Sequence, residues 1–202
     1  MTIENGNYTR SVDVAGDSYY VILNHGEMVI NQGVFEIPRI ISSLIDNGYY
    51  DYTSTNPALG YVEGVNMAEP KLTVNGGTFI SNFHVIKNDD GAILTINDGK
   101  FYGDLLLTGK DTIINDGYFE TIKKPNLYVR KINDTLNTGM TYINGGTFVV
   151  KNYDNNIESY DGKEINVIIK GGRFNVKVPD EFVAEGYEQN YVDGYYVVST
   201  KA

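Results

Sequence analysis

The chain has 202 residues, no cysteine and no tryptophan, and its 16 basic against 26 acidic side chains give a formal charge of −10. The lack of cysteine excludes disulfide scaffolds, thiolate nucleophiles and cysteine-ligated zinc. An acidic chain repels phosphate backbones and anionic lipid headgroups, so the charge argues against nucleic-acid partners. Hydrophobic residues make up 42% of the sequence, which is enough for a core, but no stretch approaches the 18 apolar residues that membrane insertion requires.

One eight-residue pattern recurs along the chain: apolar, any residue, apolar, Asn, any residue, Gly, any residue, aromatic. The copies are MVINQGVF (28–35), LTVNGGTF (72–79), LTINDGKF (94–101), TIINDGYF (112–119), TYINGGTF (141–148) and VIIKGGRF (167–174), with a looser TIENGNY at 2–8. The aromatic positions are 18 to 29 residues apart, except for 44 between Phe35 and Phe79. That gap predicts one additional, degenerate repeat.

Each copy predicts a strand, a glycine corner and a second strand, because side chains alternate along a strand and Gly accepts a positive φ. Short strands at this period, without a helical period between them, are typical of a β-solenoid in which successive coils stack. We therefore expect an all-β protein, a right-handed parallel β-helix of about eight coils. Three columns should result: inward Ile30, Val74, Ile96, Ile114, Ile143 and Ile169; inward Phe35, Phe79, Phe101, Phe119, Phe148 and Phe174; and corner Asn31, Asn75, Asn97, Asn115 and Asn144.

Two segments depart from the repeat. Apolar residues at helical spacing after Pro38 predict a short helix over 38–46, inside an insertion of about 38–70; the alternative is that IDNGYY (45–50) is another repeat. Residues 49–70 are typical of a long surface excursion. The solenoid then covers 1–178, and 179–202 predicts a turn and a hairpin around Val192-Asp193-Gly194 that caps the last coil.

The GGTF and INDG units, followed by a terminal Glu-Gly-Tyr and Asp-Gly-Tyr-Tyr-Val-Val segment, carry a resemblance over most of the chain. They resemble the right-handed parallel β-helix repeats, of the pectate-lyase-like kind, found in surface proteins of gut bacteria and in tail or capsid-associated proteins of their phages. This resemblance implies a rod that serves as adhesin, spacer, virion part or polysaccharide-degrading enzyme.

Candidates for catalysis and for metal or cofactor binding are few. Asp98 and Asp116 stand at a turn position that other copies fill with Gln or Gly, so we interpret them as turn residues, and we interpret Asp46, Asp89 and Asp90 in the same way. Two histidines are too few for a metal site or a triad: His25 should be exposed in a corner and His84 should face outward beside a core strand. We therefore assign no catalytic, cofactor-binding or metal-binding residue and no cofactor.

The 17 tyrosines suggest a binding surface. Tyr49, Tyr50 and Tyr52 lie in the excursion and are candidates for glycan contact, although tyrosine also favours ordinary half-buried strand positions. Partner-interface candidates are of two kinds, the first coil and a column of outward residues that is less polar than a free surface: Ile3, Tyr8, Val29, Thr73, Thr95, Ile113, Tyr142 and Ile168.

The expected function is a non-enzymatic structural or attachment protein, with a phage virion component such as a tail fibre or capsid decoration as the first candidate. Its first coil, which no cap precedes, should dock on another virion or surface-protein subunit or on a second copy. Met1 and the lack of an export signal within residues 1–20 favour a virion location. The alternative is an extracellular bacterial surface module that binds cell-surface glycans, and a polysaccharide lyase or glycosidase comes third.

Overall fold

A computed structural model of the chain describes residues 1–10, 20–38, 42–49, 69–130 and 139–202. Within these ranges the protein is nearly all β, and a single 3-10 turn is its one helical element. The first three repeats contribute β1 (Thr2–Ile3), β2 (Asn7–Thr9), β3 (Ile22–Asn24), β4 (Glu27–Ile30), β5 (Val34–Ile37), β6 (Ile45–Asn47), β7 (Lys71–Val74) and β8 (Thr78–Asn88).

The strands of the later repeats are, in order, β9 (Ile93–Ile96), β10 (Lys100–Leu107), β11 (Asp111–Ile114), β12 (Tyr118–Ile122), β13 (Leu127–Val129), β14 (Met140–Ile143), β15 (Thr147–Lys151), β16 (Ile157–Ser159), β17 (Asn166–Ile169) and β18 (Gly172–Phe174). The 3-10 turn at Asp180–Phe182 follows, and β19 (Tyr187–Val192) and β20 (Tyr195–Thr200) end the chain.

Strands at equivalent positions of successive repeats pair in parallel and form three sets. The first set is a seven-stranded sheet of order β1-β4-β7-β9-β11-β14-β17. The second set runs β2-β5-β8-β10-β12-β15-β18. The third set runs β3-β6-β8-β10-β13-β16 and is joined to the second because β8 and β10 pass through both. The chain therefore visits the three sets in the same order in each of the first six repeats.

The six phenylalanines form one inward column, as the repeat predicts. Each pairs in register with the next, each is fully buried, and consecutive ring centroids lie 4.6 to 4.9 Å apart with ring planes within 6° of parallel. The predicted aliphatic column is also in register and extends back to Ile3. These columns are the centre of the core, because one repeat alone cannot remove its inward side chains from water.

The corner between the first and second sets is held by the predicted asparagine ladder. Asn75, Asn97, Asn115 and Asn144 each donate from Nδ2 to the Oδ1 of the asparagine one repeat earlier, at 2.7 to 2.9 Å. The glycine two residues further on takes the positive φ. At Gly117 φ is +132°, and a Cβ there would lie 3.1 Å from the Phe119 ring, so the corner demands glycine for its backbone and its space.

Two expectations about the segment between Phe35 and Phe79 are wrong. β4 and β5 pair directly with β7 and β8, so no degenerate repeat is stacked between them, and the first set has seven strands among the described residues rather than about eight. The expected helix over 38–46 is absent from its described part: Ile45 lies in β6, where it pairs with Ile22 and Ile86. Cross-strand burial of Ile45 outweighs the local helical spacing. Residues 39–41 lie outside the described ranges.

The end of the chain forms the hairpin that its turn residues predict. β19 and β20 are antiparallel around Asp193 and Gly194, both at positive φ, and β20 pairs antiparallel with β18. The segment around Val183 crosses to the first set, where Val183 bridges Ile169. The hairpin thus covers β18, while the crossing segment contacts β17.

Candidate docking edges and buried charge clusters

The first repeat presents an open backbone edge. The carbonyls of Met1 and Ile3 accept hydrogen bonds from the β4 side at 2.9 and 2.8 Å, and the Gly6 carbonyl accepts one from Val34 at 2.8 Å. Because backbone groups alternate in direction along a strand, the amide and carbonyl groups of Thr2, Asn7 and Thr9 face away from the second repeat. Among the described residues, no strand pairs with this side of β1 or β2.

The side chains of this repeat are less open than the sequence suggests. Ile3 is only 4% exposed, and Tyr8 is half-buried with its ring stacked on Phe35 at 4.8 Å and 7°. Ile3 therefore belongs to the buried core and offers a partner little side-chain surface. What the first repeat offers a partner is mainly the backbone edge that no described strand pairs with.

The predicted outward column is in register along the first set. Val29, Thr73, Thr95, Ile113, Tyr142 and Ile168 pair successively and are all half-buried. The column is thus a continuous strip of mostly apolar side chains on the outside of this sheet, which is compatible with the interface role suggested by its composition.

Of the three predicted glycan-contact residues, the structure describes Tyr49. Tyr49 is 4% exposed and packs on His25, with ring centroids 4.7 Å apart, so its assignment to an exposed surface is wrong. Tyr50 and Tyr52 lie outside the described residues. His25 is itself half-buried, and desolvation lowers its pKa below the usual value. Burial of Tyr49 against this histidine replaces the expected contact with a ligand.

A buried charge cluster lies where β8 and β10 pass from the second to the third set. Asp104 is fully buried; its carboxylate is ion-paired with Lys124 Nζ and contacts His84 Nδ1. Lys124 Nζ also donates to the carbonyls of Asn82 at 3.4 Å and Phe83 at 3.3 Å. The expectation that His84 faces outward is wrong: its side chain is 6% exposed, and the Phe83 ring lies 3.9 Å from its own.

A small surface cavity of about 270 Å³ lies beside this cluster, lined by Tyr102, Glu120 and Lys124 among others. A molecule in this cavity can touch Lys124, whose side chain is 24% exposed, but it cannot reach the Asp104 carboxylate. Acid–base catalysis needs the catalytic group within hydrogen-bonding reach of the substrate. The geometry therefore favours a structural role for Asp104.

A second buried cluster lies in the third set. Asp46 in β6 is fully buried beside Lys87, whose Nζ is ion-paired to Asp89; Thr108 Oγ1 also donates to Asp89 at 3.0 Å. Burial, together with the Asp89 carboxylate, raises the pKa of Asp46 to about 8, although Lys87 opposes the shift. Asp46 is a strand residue, so its interpretation as a turn residue is wrong.

The corner carboxylates behave as the turn interpretation requires. Asp98 and Asp116 are exposed, and each accepts a hydrogen bond from the amide of the following glycine, at 2.7 and 2.8 Å. In the described ranges, no three His, Cys, Asp or Glu side chains are placed to hold a metal ion. Nor is any helix there long and apolar enough to cross a membrane.

The outer face of the second set carries an aromatic and charged surface that the sequence did not single out. The rings of Tyr102 and Tyr118 lie 6.1 Å apart, and Glu120 accepts hydrogen bonds from Tyr118 Oη at 2.7 Å and Lys151 Nζ at 2.6 Å. The bond to Glu120 raises the pKa of Tyr118 to about 12. Outward alternation within KFY and YFE could have indicated these rings.

Comparison with protein-family models, with curated proteins and with solved structures found no match to this chain.

Proposed function

We propose that the protein is a right-handed parallel β-helix that serves as a non-enzymatic structural or attachment part, of the kind found in phage virions, and docks through its first repeat. The supporting observation for the architecture is that three sets of parallel strands recur in register from repeat to repeat, with one aromatic and one aliphatic rung per repeat. The resemblance of the repeats supports the virion setting. The open backbone of β1 and β2 supports docking at this end.

The positions of the charged side chains also agree with a structural role. The carboxylates of the two buried clusters cannot be reached by a molecule bound at the surface. The exposed Asp98 and Asp116 accept hydrogen bonds from the amides of the glycines that follow them. Stability then comes from stacking of repeats, and each repeat added by a partner would extend the same ladders. A first-repeat edge that continues onto another subunit removes the cost of leaving strand groups unpaired.

The experiment compares sedimentation velocity of the wild-type chain with Thr9→Pro, using Thr9→Val as the matched control. Proline removes the outward amide of an edge strand without affecting the inward ladder. We expect concentration-dependent association for wild type and Thr9→Val, with at least a tenfold weaker association for Thr9→Pro. A wild-type monomer at every concentration, with rapid amide exchange at Asn7 and Thr9, would refute docking between copies.

The non-enzymatic part of the proposal has its own assay. Incubation with a panel of acidic and neutral polysaccharides, followed by reducing-end and unsaturated-product detection, should give no turnover above the blank. Turnover that a single Asp or Glu substitution abolishes would contradict it.

A glycan-binding module is the second candidate, and the outer face around Tyr102 favours it. Tyrosine rings beside a Glu–Lys pair offer stacking surfaces and hydrogen-bonding groups to a sugar. Arg173 lies over the Tyr195 ring at 4.5 Å on the same sheet and extends the surface. Glycan-array binding that Tyr102→Ala abolishes, while Ile122→Ala leaves it intact, would favour this candidate. No binding across the array would exclude it.

A further inference from the structure

The seventh repeat lacks a strand in the third set. β17 and β18 continue the first and second sets. After β18, Asn175 and Val176 hydrogen-bond the side chain of Asn156, the residue before β16, at 3.2 and 3.3 Å. The chain then turns through the 3-10 segment and crosses to Ile169 without pairing with β16. Within the described residues β16 pairs with β13 only. The third set therefore ends one rung early, at Ile157–Ser159.

The free side of β16 can be identified residue by residue. The Asn156 carbonyl accepts from Leu127 at 3.0 Å, and the Tyr160 amide donates to Val129 at 2.9 Å, so these residues face β13. Alternation along the strand turns the amide and carbonyl groups of Ile157 and Ser159 the other way. Two residues therefore present strand-pairing groups where a next rung would lie.

A cleft of about 730 Å³ lies against this edge. Ile157, Ile165, Val167 and Phe182 contribute apolar walls, and Ile157 and Ser159 themselves belong to the lining. The unpaired edge and the cleft are separate observations, one from hydrogen bonding and the other from shape, and they coincide. Three residues of extended chain span about 10 Å and would fill the missing rung.

We propose that this cleft, the β16 slot, binds an extended segment of a partner chain as a parallel strand. The apolar walls of the cleft and the column that ends at Ile157 favour an aliphatic residue on the partner strand. The earlier rungs of that column are all large and aliphatic: Ile22, Ile45, Ile86, Leu105 and Leu127. Ile157 is itself only 5% exposed, so the added strand would bind mainly through backbone pairing with Ile157 and Ser159. An Ile or Leu side chain on it would pack against the apolar walls of the cleft.

Charge specifies the flanks of the partner strand. Glu158, Glu164 and Glu181 line the cleft against one lysine, Lys163, and the whole chain carries −10. Basic residues beside the aliphatic one would therefore be favoured. A second copy of the chain does not fit as a rigid body, because the hairpin over β18 and the crossing segment at β17 block the other two sets. A short extended segment meets neither obstacle.

The test uses a fluorescein-labelled peptide, KTIKITK, which places two isoleucines on one face of a strand, and its scrambled form KIITTKK. Fluorescence anisotropy against the full chain should show binding of the first peptide at least tenfold tighter than the second. Ser159→Pro removes an outward amide and should weaken binding at least tenfold. Ser159→Ala keeps that amide and should match wild type within twofold.

Hydrogen exchange of the wild-type chain provides a readout that does not depend on any variant folding. With KTIKITK bound, the amides of Ile157 and Ser159 should exchange at least tenfold more slowly, while those of the first repeat should not change. Equal binding of the two peptides would mean attraction by charge alone and would overturn the proposal. Absence of binding at millimolar peptide, or unchanged exchange at β16, would overturn it as well.

Discussion

The central rung of the phenylalanine column offers the sharpest test of the core. Phe101 is fully buried and stacks on Phe79 at 4.9 Å and on Phe119 at 4.8 Å. Phe101→Ala removes a ring that has an aromatic neighbour on both faces. Both neighbours are held by their own strands, so the gap cannot close easily.

Phe101→Ala should lower the free energy of unfolding by about 4 to 5 kcal/mol, at the upper end of the range for replacing a buried phenylalanine with alanine. Two stacked contacts are lost in addition to the buried area, which is the reason for choosing the upper end. With a urea m-value of about 2.5 kcal/mol per M, the unfolding midpoint should fall by about 1.5 to 2 M.

Urea unfolding followed by far-UV circular dichroism measures this shift. Tyr102→Ala is the matched control, since Tyr102 is the next residue on β10, faces outward and is 36% exposed. Its midpoint should change by a few tenths of a molar at most. Tyr8→Ala, at the end of the column with one stacked neighbour, should fall between the two. Equal midpoints for Phe101→Ala and Tyr102→Ala would refute the column as the main source of stability.

Three further outcomes follow from polar contacts. Asn97→Ala breaks the hydrogen bonds to Asn75 and from Asn115 and should lower the free energy of unfolding in urea by about 1 kcal/mol. Lys170→Asn should extend the ladder beyond Asn144 and raise it by about 0.5 kcal/mol. A more stable Asn97→Ala or a less stable Lys170→Asn would contradict the ladder. Asp104→Asn should cost about 3 kcal/mol because it leaves Lys124 without its carboxylate, with the exposed Asp98→Asn as a near-neutral control. Because the pKa of Asp46 is raised to about 8, the folded state keeps a proton that the unfolded state releases above about pH 4, so stability from this group is lost as pH rises from about 4 to about 8. Asp46→Asn should flatten the measured curve of stability against pH in that window. Identical curves for the variant and the wild type would argue against the raised pKa.

The repeat columns could be predicted from sequence because each rung repeats the same local chemistry. Phe, the corner Gly and the ladder Asn occur at fixed spacing within the motif, so aligning the copies also aligns the register. The third set is marked only in its first three repeats, where Ile-x-Asn recurs at 22–24, 45–47 and 86–88 and Asn24, Asn47 and Asn88 form a second ladder. Its strands read IDN, LYV and IES in different repeats, and the IDN strand follows residues whose spacing fits a helix. Only pairing with neighbouring repeats decides that Ile45 belongs to a strand.

The buried cluster around Asp104 could not be found from spacing alone. His84 lies five residues after Phe79, whereas Asp104 lies three after Phe101, so alignment by the motif sets them apart. A register shift between Tyr102 and Asp104 brings them opposite each other. An irregularity of this kind depends on how two strands bend together, and a single sequence does not display it.

That irregularity also explains why charge is buried at this place. Where β8 carries extra residues opposite Gly103, the ladder is interrupted, and the carbonyls of Asn82 and Phe83 accept from Lys124 Nζ instead of from a strand. A lysine ammonium brought to this site needs a counter-charge, and Asp104 supplies it while also fixing the His84 ring. The charges in the cluster therefore compensate for the backbone carbonyls that lose their strand partners at the bend between the second and third sets. The bend therefore explains why three ionisable side chains meet in one buried place without a substrate, and we expect their loss to unfold the bend before it affects any binding surface.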